Sequence, residues 1–105
     1  MKLHLLVLDG VFDLGLAALT DTLATANELA ATLPHALAPI EFTFVGVRRR
    51  VRTAQGLTVP VVPAESVTQP DAVLVPALGA KMPDTLAARL ALRDVAEAVA
   101  VLQRW

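Results

Sequence analysis

Hydrophobic residues fall along this chain in two kinds of pattern: short unbroken runs, and longer stretches in which they recur every three or four positions. Leu3 to Leu8 is the first run, apolar apart from His4 and closed by Asp9-Gly10. That is the form of a strand buried on both faces of a parallel sheet. From about Leu14 to Leu33, Leu16, Leu19, Leu23, Ala26, Ala30 and Leu33 return at helical spacing, with Asp21, Asn27 and Glu28 between them, which predicts an amphipathic helix. Pro34, His35 and Pro39 mark a return loop, and Ile40 to Val47 alternates as a second strand through Phe42, Phe44 and Val45. A strand, helix, strand unit of this length implies a right-handed parallel crossover.

Val51 to Val59 sets a turn containing Gly56 between two β-branched runs, as a hairpin requires. Pro60, Pro63 and Pro70 punctuate the loop after it, and Ala72 to Val75 forms a third compact apolar run that exits through Pro76-Ala77-Leu78-Gly79-Ala80. Asp84 is placed to cap a short helix reaching Leu90, and Val95, Val99 and Leu102 carry helical spacing up to Trp105, whose ring is expected to pack that helix onto the sheet. The predicted class is α/β: a parallel sheet flanked by helices, with a β-hairpin excursion. A helix that follows a parallel strand ordinarily delivers the chain to another strand. Three parallel strands leave one edge open, so the expectation is that another chain covers it or that residues 1–105 are part of a longer protein.

Composition narrows the reading. At 105 residues there is room for one domain, and 55% hydrophobic against 18% charged residues is too apolar for disorder. Nine basic and ten acidic side chains give a net charge of -1, so the chain as a whole has no long-range attraction to DNA. Cysteine is absent, which removes disulfides and a cysteine nucleophile from these residues and fits a reducing, cytoplasmic compartment. The apolar N-terminal run ends at Asp9, with Asp13 close behind, unlike a signal peptide. No apolar run reaches the roughly 18 residues of a membrane span.

Ligands of open parallel sheets bind beyond the carboxyl ends of the strands, where strand order reverses. Here those ends are Asp9-Gly10, Gly46-Val47 and Pro76-Ala77-Leu78-Gly79. Glycine permits close backbone approach there, and free loop amides hold a carboxylate or carbonyl oxygen. Asp9 is the best polar candidate, although an acid closing a strand more often just starts a turn. The bland reading of Pro76 to Ala80 is a tight strand exit. Arg48-Arg49-Arg50, with Arg52, reads as a solvated or ion-paired edge. His4 and His35 lack a second ligand at metal spacing, and Ser66 has no nucleophile elbow, so neither a metal nor a cofactor is expected.

Four stretches, "VLDGVFDLGLAALTDTLATANELA", "FTFVGVRRRVRTAQGLTV", "PDAVLVPALGA" and "LALRDVAEAVAVLQRW", resemble in order and spacing the ThiJ/PfpI-like half of GlxA-type members of the AraC regulators. The resemblance covers nearly the whole chain. It implies a flavodoxin-like sandwich of the class I glutamine amidotransferase superfamily, usually dimeric, of which residues 1–105 are the N-terminal part. It also implies a helix-turn-helix region downstream as the only route to DNA. Enzymes of that superfamily carry a cysteine turn just after the helix that ends here, and an acid in the first helix region where this chain has Gly15, with Asp13 and Asp21 nearest. The implied function is a non-catalytic module that senses a small molecule and dimerises. The alternative is the first half of a hydratase or amidase whose nucleophile lies downstream.

Overall fold

The computed structural model describes residues 1–35 and 37–105. Its centre is β1 (Lys2–Leu6), which pairs in parallel with β2 (Glu41–Gly46) on one side and with β6 (Ala72–Leu74) on the other. Leu5 lies opposite both Phe44 and Leu74. A fourth parallel strand, β5 (Val62–Pro63), adds to β2, giving the order β5-β2-β1-β6. The remaining strands, β3 (Arg50–Arg52) and β4 (Thr58–Pro60), form the antiparallel hairpin. The chain is therefore α/β with a four-stranded parallel sheet and a small antiparallel one.

β1 is apolar on both faces because both are covered. Leu5 and Val7 point to one side, into a cluster with Val11, Leu16 and Val51, against which Leu19 and Leu23 of helix α1 (Asp13–Ala30) and the rings of Phe42 and Phe44 pack. Leu6 and Leu8 point to the other, into a cluster with Val45, Ala64, and Ala98 and Val101 of helix α3 (Arg93–Arg104). This is the two-residue period of a strand read in its partners. Leu5, Leu6 and Val7 are fully buried, and burial of each such side chain contributes about 1.5–3 kcal/mol.

Polar contacts fix the register. The Lys2 amide donates to Asp71 Oδ2 at 2.6 Å, the Asp71 amide returns a bond to the Lys2 carbonyl at 2.8 Å, and Lys2 Nζ reaches Thr68 Oγ1 at 2.9 Å, so β6 enters the sheet level with β1. Asn27 ties the end of α1 to the entry of β2: its Nδ2 donates to the Ile40 carbonyl at 2.9 Å and its Oδ1 accepts from the Ile40 amide at 2.8 Å.

Three boundaries differ from the sequence reading. α1 stops at Ala30 rather than Leu33, since a residue ahead of proline, here Leu33 before Pro34, is disfavoured in helical conformation. The short helix α2 (Pro83–Leu90) begins on Pro83, with Met82 as its cap residue and Asp84 in the first turn making no capping bond; proline's fixed φ suits the first helical position. The stretch read as proline-punctuated loop contains β5, whose proline is tolerated because the strand lies at the sheet edge. β6 forms the opposite edge.

Trp105 packs onto the sheet through His4, with ring centroids 5.0 Å apart in an edge-on arrangement. His4 is 2% exposed, and its Nδ1 is buried without a hydrogen-bond partner. Burial, and secondarily the charge of Lys2, push its pKa below the usual histidine value. The unfolded chain therefore takes up a proton near pH 6.5 that the folded chain resists. Stability is whole above that pH and falls beneath it, by up to about 1.4 kcal/mol per pH unit. Urea titrations at pH 7.5 and 5.5 should show this loss, and it should shrink in His4→Phe.

Candidate functional site

Parallel pairing puts the carboxyl ends of all strands at one end of the sheet, and strand order supplies the crevice. The chain moves outward from β1 to β2 and β5, then returns to place β6 on the other side of β1. Order reverses between β1 and β6, which is where ligands of open parallel sheets bind. Two of the three exits named from sequence meet at this point. The Phe12 amide donates to the Ala77 carbonyl at 2.7 Å, and the Gly79 amide donates to the Gly10 carbonyl at 2.7 Å. The third does not join them: Gly46 is buried against the loop before β5, where an added Cβ would lie 2.7 Å from Val61 Cγ2.

Two of the loop amides offered as ligand donors, those of Gly10 and Gly79, are engaged within the protein. Gly10 donates to the Arg52 carbonyl at 2.8 Å, and Gly79 is taken by Gly10. The Pro76 to Gly79 segment is thus a tight exit held on both sides, and the hairpin closes over it: Ala54 donates to the Val11 carbonyl at 2.9 Å. Gly79 is required for this contact, because a Cβ there would lie 2.4 Å from Ala54 Cβ and 3.2 Å from the Gly10 carbonyl.

A cleft of about 370 Å³ opens beside the junction, walled by Asp9, Gly10, Thr53, Gly56, Arg52 of β3 and Arg89 of α2. Asp9 is half-buried and accepts the Arg52 amide on Oδ1 at 2.9 Å, so it orients the hairpin as well as facing the cleft. Asp9 and Gly10 carry a local turn signal in the sequence, whereas Arg89 carries none, because its approach to Gly10 depends on the path of α2. Arg52 reads from sequence as part of a solvated or ion-paired run. Arg48, just past β2, does pair with Glu97 of α3, which Arg93 also contacts at 3.2 Å. Arg48 is the first cause holding the Glu97 carboxyl below its ordinary pKa. Arg52, two strand positions beyond Arg50, turns into the cleft.

Pro76, Ala77 and Leu78 face elsewhere. With Leu86, Leu90 and Val99 they line an apolar cleft of about 400 Å³ between the β6 exit and the last two helices. Pro76 and Ala77 also border a second, of about 560 Å³, between β6 and α1. The two flank the uncovered edge of β6.

The acids near the first helix are also placed. Gly15 sits against the Phe12 ring, where a Cβ would come within 3.1 Å of Cδ2. Asp13 Oδ1 accepts the Gln55 amide at 3.1 Å while Oδ2 is buried without a partner. Ser66 Oγ donates to the Pro63 carbonyl at 2.8 Å. None of the family models, curated proteins or solved structures compared with the chain matches it.

Gly79→Ala should separate the β6 exit from the hairpin, and Gly10→Ala, at φ +79°, should cost about 1–2 kcal/mol from backbone strain alone. Thermal unfolding of both against Gly56→Ala checks this. Gly56 shares the positive φ, but a Cβ there meets only the flexible end of Arg52 at 3.3 Å, so Gly79→Ala should be the most damaging and Gly56→Ala the least.

Proposed function

We propose that the chain is the ligand-sensing and dimerisation module of an AraC-type transcription regulator: the N-terminal part of a ThiJ/PfpI-like, flavodoxin-like domain, cytoplasmic and non-catalytic. DNA contact belongs to a region outside these residues. Among the described residues no helix is long and apolar enough to cross a membrane, and the net charge of -1 gives no basis for direct binding to a polyanion.

The observation that carries the reading is the location of the polar cleft. It sits at the reversal of strand order, bonded through Gly10 and Gly79 to the exit of β6, whose other edge is uncovered and flanked by apolar clefts. A ligand that alters the Gly10-Gly79 junction acts on the strand most exposed to a second copy. That is the arrangement a sensor needs, two sites coupled through one element. The enzymatic alternative is weakened at Gly15, which offers no proton to a nucleophile where the superfamily's enzymes carry an acid.

Amide spectra of the labelled chain, recorded against a library of small metabolites, test this directly, with sedimentation of the chain alone and with any binder. A binder should shift Gly10 and Gly79 together and change the monomer–dimer distribution. If no compound moves those two amides, or the chain sediments as a stable monomer under all conditions, the proposal fails.

A further inference from the structure

We propose that the cleft beside Gly10 selects a small carboxylate whose neighbouring carbon carries a hydrogen-bond donor, a 2-hydroxy or 2-amino acid, with Arg52 and Arg89 holding the carboxylate and Asp9 the donor. This deepens the sensor reading and rests on it, since it assigns the chemical class of the molecule sensed.

Charge is the first ground. The described residues contain two ion pairs, both to Glu97, made by Arg48 and Arg93. Among the described residues Arg52 and Arg89 have no carboxylate partner, yet both wall the same cleft, with Asp9 as its one acid. A chain of net charge -1 thus concentrates two cations around one anion in a single recess. Like charges held together are unfavourable until a counter-charge arrives, and a guanidinium matches the two oxygens of a carboxylate by paired N–H donors.

Backbone shape is the second. The described residues include two glycines with positive φ, Gly10 at +79° and Gly56 at +89°, and each has one of these guanidinium groups against it. A Cβ on Gly10 would lie 2.9 Å from Arg89 Cζ and 3.2 Å from its Nε. One on Gly56 would lie 3.3 Å from Arg52 Nη2, which also donates to the Gly56 carbonyl at 3.4 Å. The two bare backbone positions are seats for the two arginine heads. Arg89 is half-buried on its seat and has no hydrogen-bond partner among the described residues, so its donors remain for a ligand.

Asp9 supplies the polarity of the second contact. Its Oδ1 takes the Arg52 amide, which leaves Oδ2 to accept from a hydroxyl or ammonium group. Thr53 Oγ1 accepts the Leu57 amide at 2.9 Å and retains a proton to donate. At about 370 Å³ the cleft falls in the small-metabolite range.

Calorimetric titration of the full chain tests the assignment, with L-malate and L-aspartate as hydroxyl and amine probes, succinate as the carboxylate lacking a donor, malamide as the neutral analogue, and inorganic phosphate. At least one of L-malate and L-aspartate should bind one to one, and which does so identifies the donor. Arg52→Gln and Arg89→Gln should each weaken that probe roughly tenfold or more, the scale of a lost charged hydrogen bond, while exposed Arg49→Gln leaves it unchanged. Asp9→Asn, which keeps an acceptor for the Arg52 amide, should erase the preference over succinate. Thermal unfolding confirms that the variants are folded. Malamide or phosphate binding as tightly as the better probe, or indifference to both arginine variants, overturns the assignment. So does failure of both probes. If a neutral library compound still shifts the Gly10 and Gly79 amides, the sensor reading survives that failure; if nothing does, both fall.

Discussion

The central strand has no face to give to water. Leu5 and Val7 on one side and Leu6 on the other are wholly buried, so β1 is stable only while helix α1 and the hairpin cover one face and helix α3 covers the other. A one-residue slip in its pairing with β2 or β6 would exchange the two sets of side chains and present Leu6 to the cluster built for Leu5. Register, layer order and the height at which the strands end are therefore settled by one hydrophobic constraint, reinforced at the sheet's lower end by the reciprocal bonds of Lys2 and Asp71. The site inherits its geometry from this. Asp9-Gly10 meets Ala77 and Gly79 because β1 and β6 leave the sheet level with one another.

What was readable in the sequence follows the same logic. Leu3 to Leu8, the leucine stripe of α1 and the Phe42-Phe44-Val45 alternation are patterns imposed by burial, and each appears as the element its period predicts. β5 was not readable, because two residues of edge strand ending in proline carry no period. The hairpin was visible as a turn, but its placement over Val11 was not: the bond from Ala54 to the Val11 carbonyl joins residues remote in sequence. The same limit applied to the site. Asp9, Gly10 and Gly79 were marked by local turn chemistry, whereas Arg89 reaches Gly10 only through the path of α2. Gly46 was marked by the same local rule and belongs to a different neighbourhood, beneath Val61.

Two kinds of surface thus lie side by side at the exit of one short strand. The polar cleft contains two arginines that have no carboxylate partner among the described residues, each over bare glycine backbone; the apolar clefts flank the free edge of β6 and expose Val75, Leu90 and Val99. The Gly79 to Gly10 bond connects them. Shape at that bond, rather than a charged network, links the two, since the ion pairs of Arg48 and Arg93 with Glu97 lie on α3 and the end of β2.

The parallel placement of β6 against β1, with Leu5 level with Leu74, is the claim from which the cleft, the open edge and their coupling all derive. Interstrand amide to α-proton nuclear Overhauser contacts measured on the labelled chain test it most directly. A parallel ladder should join Leu3, His4 and Leu5 to Ala72, Val73 and Leu74 in that register. An antiparallel pattern, or a ladder displaced by one residue, would contradict it.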